Sequence, residues 1–252
     1  MCNEPYFGDL EALEAWEQHM TSVIADAEKD FRHQHLISQN IANGAQKIEN
    51  PHPEVSVFNF HYARPPLAVA MNYGLNKVIG DNETGFDGTG DVTYRKEAWN
   101  FMLAGGGLFN NLDYSFTVDH ENGSFEVPAK QPGGGGPALR TQLKILAEAL
   151  SEIDFIHAVP ADSLNQNIHA DREVKILARE GKQYLIYLTR DGENNRPCAV
   201  SPEIPAGHYE GEWIDTKTGE RTRFNIPKHP GGIRTFISPA FTGDIALKLI
   251  RR

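Results

Sequence analysis

Over the first 155 residues, two hydrophobic periods take turns along the chain. From Asp9 to Phe31, the residues Leu10, Leu13, Trp16, Met20, Val23, Ile24 and Ala27 recur at three- and four-residue steps, which predicts a helix with Asp9 as its N-cap. Short β-branched or aromatic runs at 35–42, 55–63, 77–85 and 109–118 read as strands. Helical stretches at 65–75, 93–106 and 138–155 separate them, with a weaker helical segment after the first strand. Strands alternating with helices bury a parallel sheet. After about residue 160 the texture changes to alternating runs such as EVKILARE, QYLIYLTRD, GHYEGEWID, GIRTFISP and DIALKLIR, punctuated by DGENN, DTKTGE and KHPGG. These predict an antiparallel β-sandwich. The expected organisation is an α/β domain over residues 1–160 and an all-β domain over 161–252.

Composition narrows the partners. The chain has 252 residues, is 40% hydrophobic and carries a net charge of −10. That supports a sizeable core and argues against nucleic acid or an anionic membrane, both of which attract basic surfaces. No apolar run is long enough for a bilayer-spanning helix, and no signal peptide is visible at Met1, so the location expected of the sequence as written is cytoplasmic. A secreted or periplasmic location follows instead if a leader precedes residue 1. Cys2 and Cys198 are the two cysteines and suggest neither a disulfide framework nor a zinc knuckle.

Two carboxylates occupy strand ends. Glu4 follows Asn3, and Glu83 in DNETGF closes the third predicted strand. In a parallel βα barrel, residues at the C-terminal ends of strands face the reaction site. Glu4 and Glu83 stand 79 positions apart, about the length of three βα units. A pair of carboxylates across a cleft is what glycoside hydrolysis needs, one as acid on the leaving oxygen and the other as nucleophile at the anomeric carbon. Other chemistries lack their motifs. QPGGGG (131–136) has no Lys-Ser/Thr after it and reads as a flexible loop, there is no HExxH, and there is no GxSxG elbow. No cofactor and no metal are expected.

Asn3-Glu4-Pro5 is similar to the acid/base motif on the fourth strand of clan A retaining glycoside hydrolases, which are (β/α)8 barrels. Asn82-Glu83 resembles the nucleophile motif on the seventh strand, and His61-Tyr62 falls where that clan places a group hydrogen-bonded to the nucleophile. The tail, with Trp213-Ile214-Asp215 and Thr218-Gly219, resembles the small β-domain, labelled collagen-binding, that follows the barrel in the apiosidase-like group. The resemblance implies Glu4 and Glu83 as the catalytic pair. Asn3, His61, Tyr62 and Asn82 would orient them or touch substrate, and Asp113 and Tyr114 would line the sugar site.

The resemblance also implies that this chain carries only the C-terminal half of a TIM-type barrel, from the tip of strand 4 through strand 8, ahead of its β-sandwich. A half barrel exposes sheet edges and inner layers, so self-association into a homo-oligomer is expected. The expected partner is an oligo- or polysaccharide with β-linkages. The alternative is a truncated, catalytically inactive scaffold or carbohydrate-binding protein, with Tyr209 and Trp213 as a sugar platform if they are exposed.

Overall fold

The structure, a computed structural model, describes residues 10–167, 171–192 and 194–252. Asn3, Glu4 and the expected cap Asp9 lie outside the described residues. The chain divides into two compact units. One comprises the described residues up to 85 together with 105–112, and the other comprises 86–104 and 113–252.

The first unit is a four-stranded parallel sheet of β1 (Ile37–Asn43), β2 (Val55–His61), β3 (Val78–Thr84) and β4 (Leu108–Asn111), in spatial order β1-β2-β3-β4. Helices α1 (Leu10–Glu28) and α2 (Leu67–Asn72) belong with it. No helix forms between β1 and β2, where a weak one was expected; residues 44–54 are turns and irregular chain. The side of α1 turned inward differs from the apolar spacing. Glu17 and Thr21 are buried while Trp16 and Val23 are 45% and 44% exposed. A strong polar contact sets this rotation, because Gln39 Nε2 on β1 donates to the buried Glu17 Oε2 at 2.6 Å.

The sheet has two unlike faces. Ile37, Gln39, Phe58, Phe60, Ile79 and Asp81 alternate onto one and are buried. Ser38, Val57, Val78 and Leu108 alternate onto the other, where Val78 is 41% and Leu108 38% exposed.

The second unit joins α3 (Asp91–Leu103) and α4 (Pro137–Ser151) to β-structure. Pro137 begins α4, where its missing N–H goes unneeded. The strands are β5 (Val159–Pro160), β6 (Arg172–Arg179), β7 (Gln183–Arg190), β8 (Ala199–Val200), β9 (Glu203–Ile204), β10 (Gly207–Ile214), β11 (Arg221–His229), β12 (Gly232–Ile233), β13 (Phe236–Ile237) and β14 (Asp244–Arg251). Six of them form an antiparallel sheet in the order β11-β10-β14-β7-β6-β5, and β12-β9 and β13-β8 make two short ladders. Ile176, Tyr184, Ile186, Leu188, Trp213, Leu247 and Leu249 form one core with Val200, Ile204 and Phe236 of the ladders. Tyr209 and Trp213 are 1% and 4% exposed, so neither is a surface platform. The Asp215–Gly219 turn follows its sequence: Asp215 Oδ1 accepts from the backbone N–H of Lys217 and Thr218, and Gly219 adopts φ +75°.

On its other side the six-stranded sheet receives α3. Trp99 stacks on Tyr187 with ring centroids 5.1 Å apart and planes at 14°. Arg95, 2% exposed, forks onto Asp244, 1% exposed, through Nη2–Oδ1 at 2.6 Å and Nε–Oδ2 at 2.9 Å. Asp244 Oδ2 also accepts from Thr216 Oγ1 at 2.6 Å and Tyr187 Oη at 3.1 Å.

Candidate active site

Glu83 reaches the exposed side of the parallel sheet through a slip in register. Phe60 pairs with Asp81, but the next residue of β2, His61, pairs with Glu83. Against β4 the count is the same: Asp81 pairs with Phe109, and Thr84 with Asn111. One residue of β3, Asn82, is therefore extra relative to both neighbours, which is a β-bulge. Without it, Glu83 would fall in step with the helix-facing residues Ile79 and Asp81. With it, Glu83 stands beside His61 on the face that carries Val57, Val78 and Leu108. Asn82 is thus the device that aims Glu83. Its carbonyl accepts from Asn110 Nδ2 at 3.0 Å.

Around Glu83, Tyr62 Oη donates to Oε1 at 2.5 Å, a short charge-assisted bond. His61 Nδ1 lies 3.6 Å from Oε2. The Glu83 side chain keeps 22% of its surface exposed, whereas His61 keeps 2%. Tyr62 adopts φ +54°, left-handed backbone that is strained for an aromatic residue, and Tyr62 N donates to Glu83 O at 2.9 Å. Asp81, which the motif reading passed over, is fully buried, and its Oδ2 accepts from Ala63 N at 3.2 Å, fixing the exit of β2. The signal available for it was an acid in the middle of a strand.

The structure brings His61, Tyr62, Asn82 and Glu83 together in the first unit. Asp113 and Tyr114 belong to the second unit. They follow a strand that ends at Asn111 rather than 118, because Asp113 turns the chain. Its Oδ1 accepts from Ser115 N at 3.0 Å, Ser115 Oγ at 2.6 Å and Gly136 N at 3.0 Å, and its Oδ2 from Arg140 Nη1 at 2.6 Å. Burial pushes the Asp113 carboxyl up, but these donors outweigh it and hold the group below the usual carboxylate range. The glycine stretch is packed rather than flexible: Gly133 and Gly134 are buried, and a Cβ on Gly133 would stand 2.1 Å from Tyr114 Cε2. Among the described residues no group of three or more His, Cys, Asp or Glu converges to hold a metal ion. Among them, too, no helix is long and apolar enough to cross a membrane.

No family model matches the sequence, and no curated protein matches it. Solved structures do match. One described as a glycoside hydrolase superposes with a TM-score of 0.67 at 16% identity, covering 97% of this chain and 62% of that chain. A glycoside hydrolase family 5 protein from Bacteroides vulgatus gives 0.62 at 14% identity, covering 91% and 58%. The chain therefore spans about three fifths of the length of these structures. At such identities the likeness is one of fold: a mixed α/β chain with parallel and antiparallel sheets and a glycoside hydrolase-like fold.

Proposed function

We propose that this chain carries the nucleophile of a retaining glycoside hydrolase acting on β-linked glycans. The observation that carries the reading is the 2.5 Å bond from Tyr62 Oη to Glu83, on a carboxylate that a bulge turns onto the exposed sheet face. In the first step a Glu83 oxygen attacks the anomeric carbon as the glycosidic C–O bond breaks, and the leaving oxygen takes a proton from Glu4. In the second step Glu4 removes a proton from water, the water oxygen displaces Glu83, and the sugar leaves with its configuration retained. Tyr62 and His61 hold the Glu83 carboxylate in line, and Asn3 and Asn82 complete the setting.

In this reading the four parallel strands are strands 5 to 8 of a (β/α)8 barrel, so residues 1–160 descend from a barrel and 161–252 from an appended β-domain of the apiosidase-like group. That division is one of ancestry, since packing places α3 and α4 with the antiparallel sheet. The exposed Val78 and Leu108 on the inner face support self-association as the way that face is covered. The test is mechanism-based labelling with a panel of activated 2-deoxy-2-fluoro glycosides, read by intact mass and peptide mapping. An adduct on Glu83 is expected. A folded protein that acquires none across the panel refutes the catalytic reading and favours the inactive scaffold.

A further inference from the structure

The two short ladders of the second unit share one register. Gly232 pairs with Ile204 and Ile233 with Glu203; further on, Phe236 pairs with Val200 and Ile237 with Ala199. Thr235 Oγ1, 2.9 Å from Ser201 Oγ, keeps the same register between them. The stretch 232–237 thus runs antiparallel to 199–204 along its length. Its inward bonds come from even positions: Arg234 N donates to Pro202 O at 3.0 Å and Ser238 N to Cys198 O at 2.9 Å. Backbone groups alternate sides along an antiparallel strand, so Ile233, Thr235 and Ile237 turn their N–H and C=O groups to the opposite edge. Among the described residues no strand pairs with that edge.

The side chains of the same three residues share the face turned away from the core. Phe236 is 5% exposed, against 60% for Ile233 and 68% for Ile237, and Thr235 is exposed as well. An open edge recruits further strands unless charge, a bulge or proline blunts it. Here the outward-bonding residues are all β-branched and uncharged. The run has firm ends. Gly231 and Gly232 turn the chain with φ +95° and +90°, and Pro239, at the next outward position after Ile237, has no N–H to offer. Between these ends the outward residues read Ile-x-Thr-x-Ile, the same in both directions. That symmetry selects the occupant.

We propose that this edge pairs with the same edge of a second copy of the chain, antiparallel about a two-fold axis at Thr235. Thr235 exchanges backbone bonds with its own counterpart, and Ile233 does so with Ile237 of the partner subunit on either side of the axis. The outer face then gains two isoleucine pairs and a threonine pair. A slip by two residues would set isoleucine against threonine and forfeit one pair, so the register is fixed. The contact is isologous and closes as a dimer, joining the ladders of both copies into one sheet. Its small extent suits a dimer that dissociates on dilution. It involves neither Glu83 nor the exposed face of the parallel sheet, and it is independent of the catalytic reading.

The test is analytical ultracentrifugation of the full chain from about 1 to about 500 µM, with hydrogen exchange read by mass spectrometry at both ends of that range. Association that rises with concentration is expected, with exchange over 233–237 slowed at the high end. Thr235→Pro removes an outward N–H that the chain's own ladder does not use, and Ile237→Lys puts a charge on the edge. Each should weaken association at least tenfold and abolish the extra protection, while the Tm of the dilute protein stays within about 3 °C of wild type. Leu108→Lys, on the parallel sheet, should leave the protection over 233–237 in place. The proposal is overturned by a monomer at every concentration, by association that both edge variants keep within twofold, or by protection over 233–237 that Leu108→Lys removes. If Thr235→Pro fails to fold, Ile237→Lys decides, since its side chain is largely exposed.

Discussion

Replacing Arg95 with methionine keeps most of the apolar stem but removes the guanidinium that faces Asp244. In the wild-type protein the Asp244 carboxylate, 1% exposed, takes three donor groups: the Arg95 fork, Thr216 Oγ1 and Tyr187 Oη. The variant leaves two neutral donors on a buried charge. Breaking a buried pair from one side costs about 3–5 kcal/mol. For a chain of this size that corresponds to a fall in Tm of roughly 6–20 °C. The loss comes from the stranded carboxylate, so removing it too should help. Arg95→Met/Asp244→Leu strands the Thr216 and Tyr187 hydroxyls, at about 1 kcal/mol each, and should lose about 2 kcal/mol beyond the 2.6 Å bond from Arg95 Nη1 to Gln142 Oε1, which both variants forfeit. Urea unfolding followed by circular dichroism and by the fluorescence of Trp99, which stacks on Tyr187, measures both variants. A loss below about 1 kcal/mol for Arg95→Met, or a double variant less stable than the single, would refute the reasoning by showing that water already reaches the pair.

Three further outcomes follow from the site and its surroundings. Tyr62→Phe removes a charge-assisted bond worth about 1.5–3 kcal/mol, so labelling of Glu83 by a reactive 2-deoxy-2-fluoro glycoside should slow by roughly 10- to 150-fold; an unchanged rate would show that Tyr62 does not orient the carboxylate. Gly133→Ala drives a methyl into the Tyr114 ring and should destabilise the protein by about 1–3 kcal/mol, checked by chemical denaturation. The Asp113 carboxyl titrates lower folded than unfolded, so its contribution is fully present above the unfolded value near 3.8 and is lost as pH falls through the lower folded value. Asp113→Asn should therefore flatten the acid limb of the stability curve below about pH 4, and a variant with the wild-type slope there would contradict this.

Some of this was open to view in the sequence. VSVFNFH and DIALKLIR announce β2 and β14 because β-branched and aromatic residues fill them. GHYEGEWI buries Tyr209, Gly211 and Trp213 on one face as its pattern says, though Glu212 and Ile214 on the other face are buried as well. Other features depended on contacts far along the chain. The rotation of α1 is set by Gln39 meeting Glu17, which no periodicity within the helix reveals. The strand expected over 109–118 stops at Asn111 because the Asp113 side chain captures amides as distant as Gly136. GIRTFISP reads as one strand but is two: both pieces keep one antiparallel register with residues 199–204, and the ladder lapses where Arg234 N donates to Pro202 O, since proline has no N–H to donate back. At the site, Glu83 and Tyr62 were legible as motif and strand end. The bulge that joins them was not, because VIGDNET looks the same whether or not one residue is extra.

That extra residue means β3 keeps two phases along its length. In a scan that places lysine at every position from 78 to 84, odd positions before Asn82 and even positions after it point at the helices and should be intolerant, and Gly80 should be intolerant for a separate reason, since a Cβ there would stand 2.2 Å from Asn59 Oδ1. The alternation slips by one exactly once, at Asn82. A carboxylate has thus been carried from one face of the parallel sheet to the other by parity alone, without a new turn or a new strand. A length change of one residue in this segment should do more harm than any single exchange of side chain.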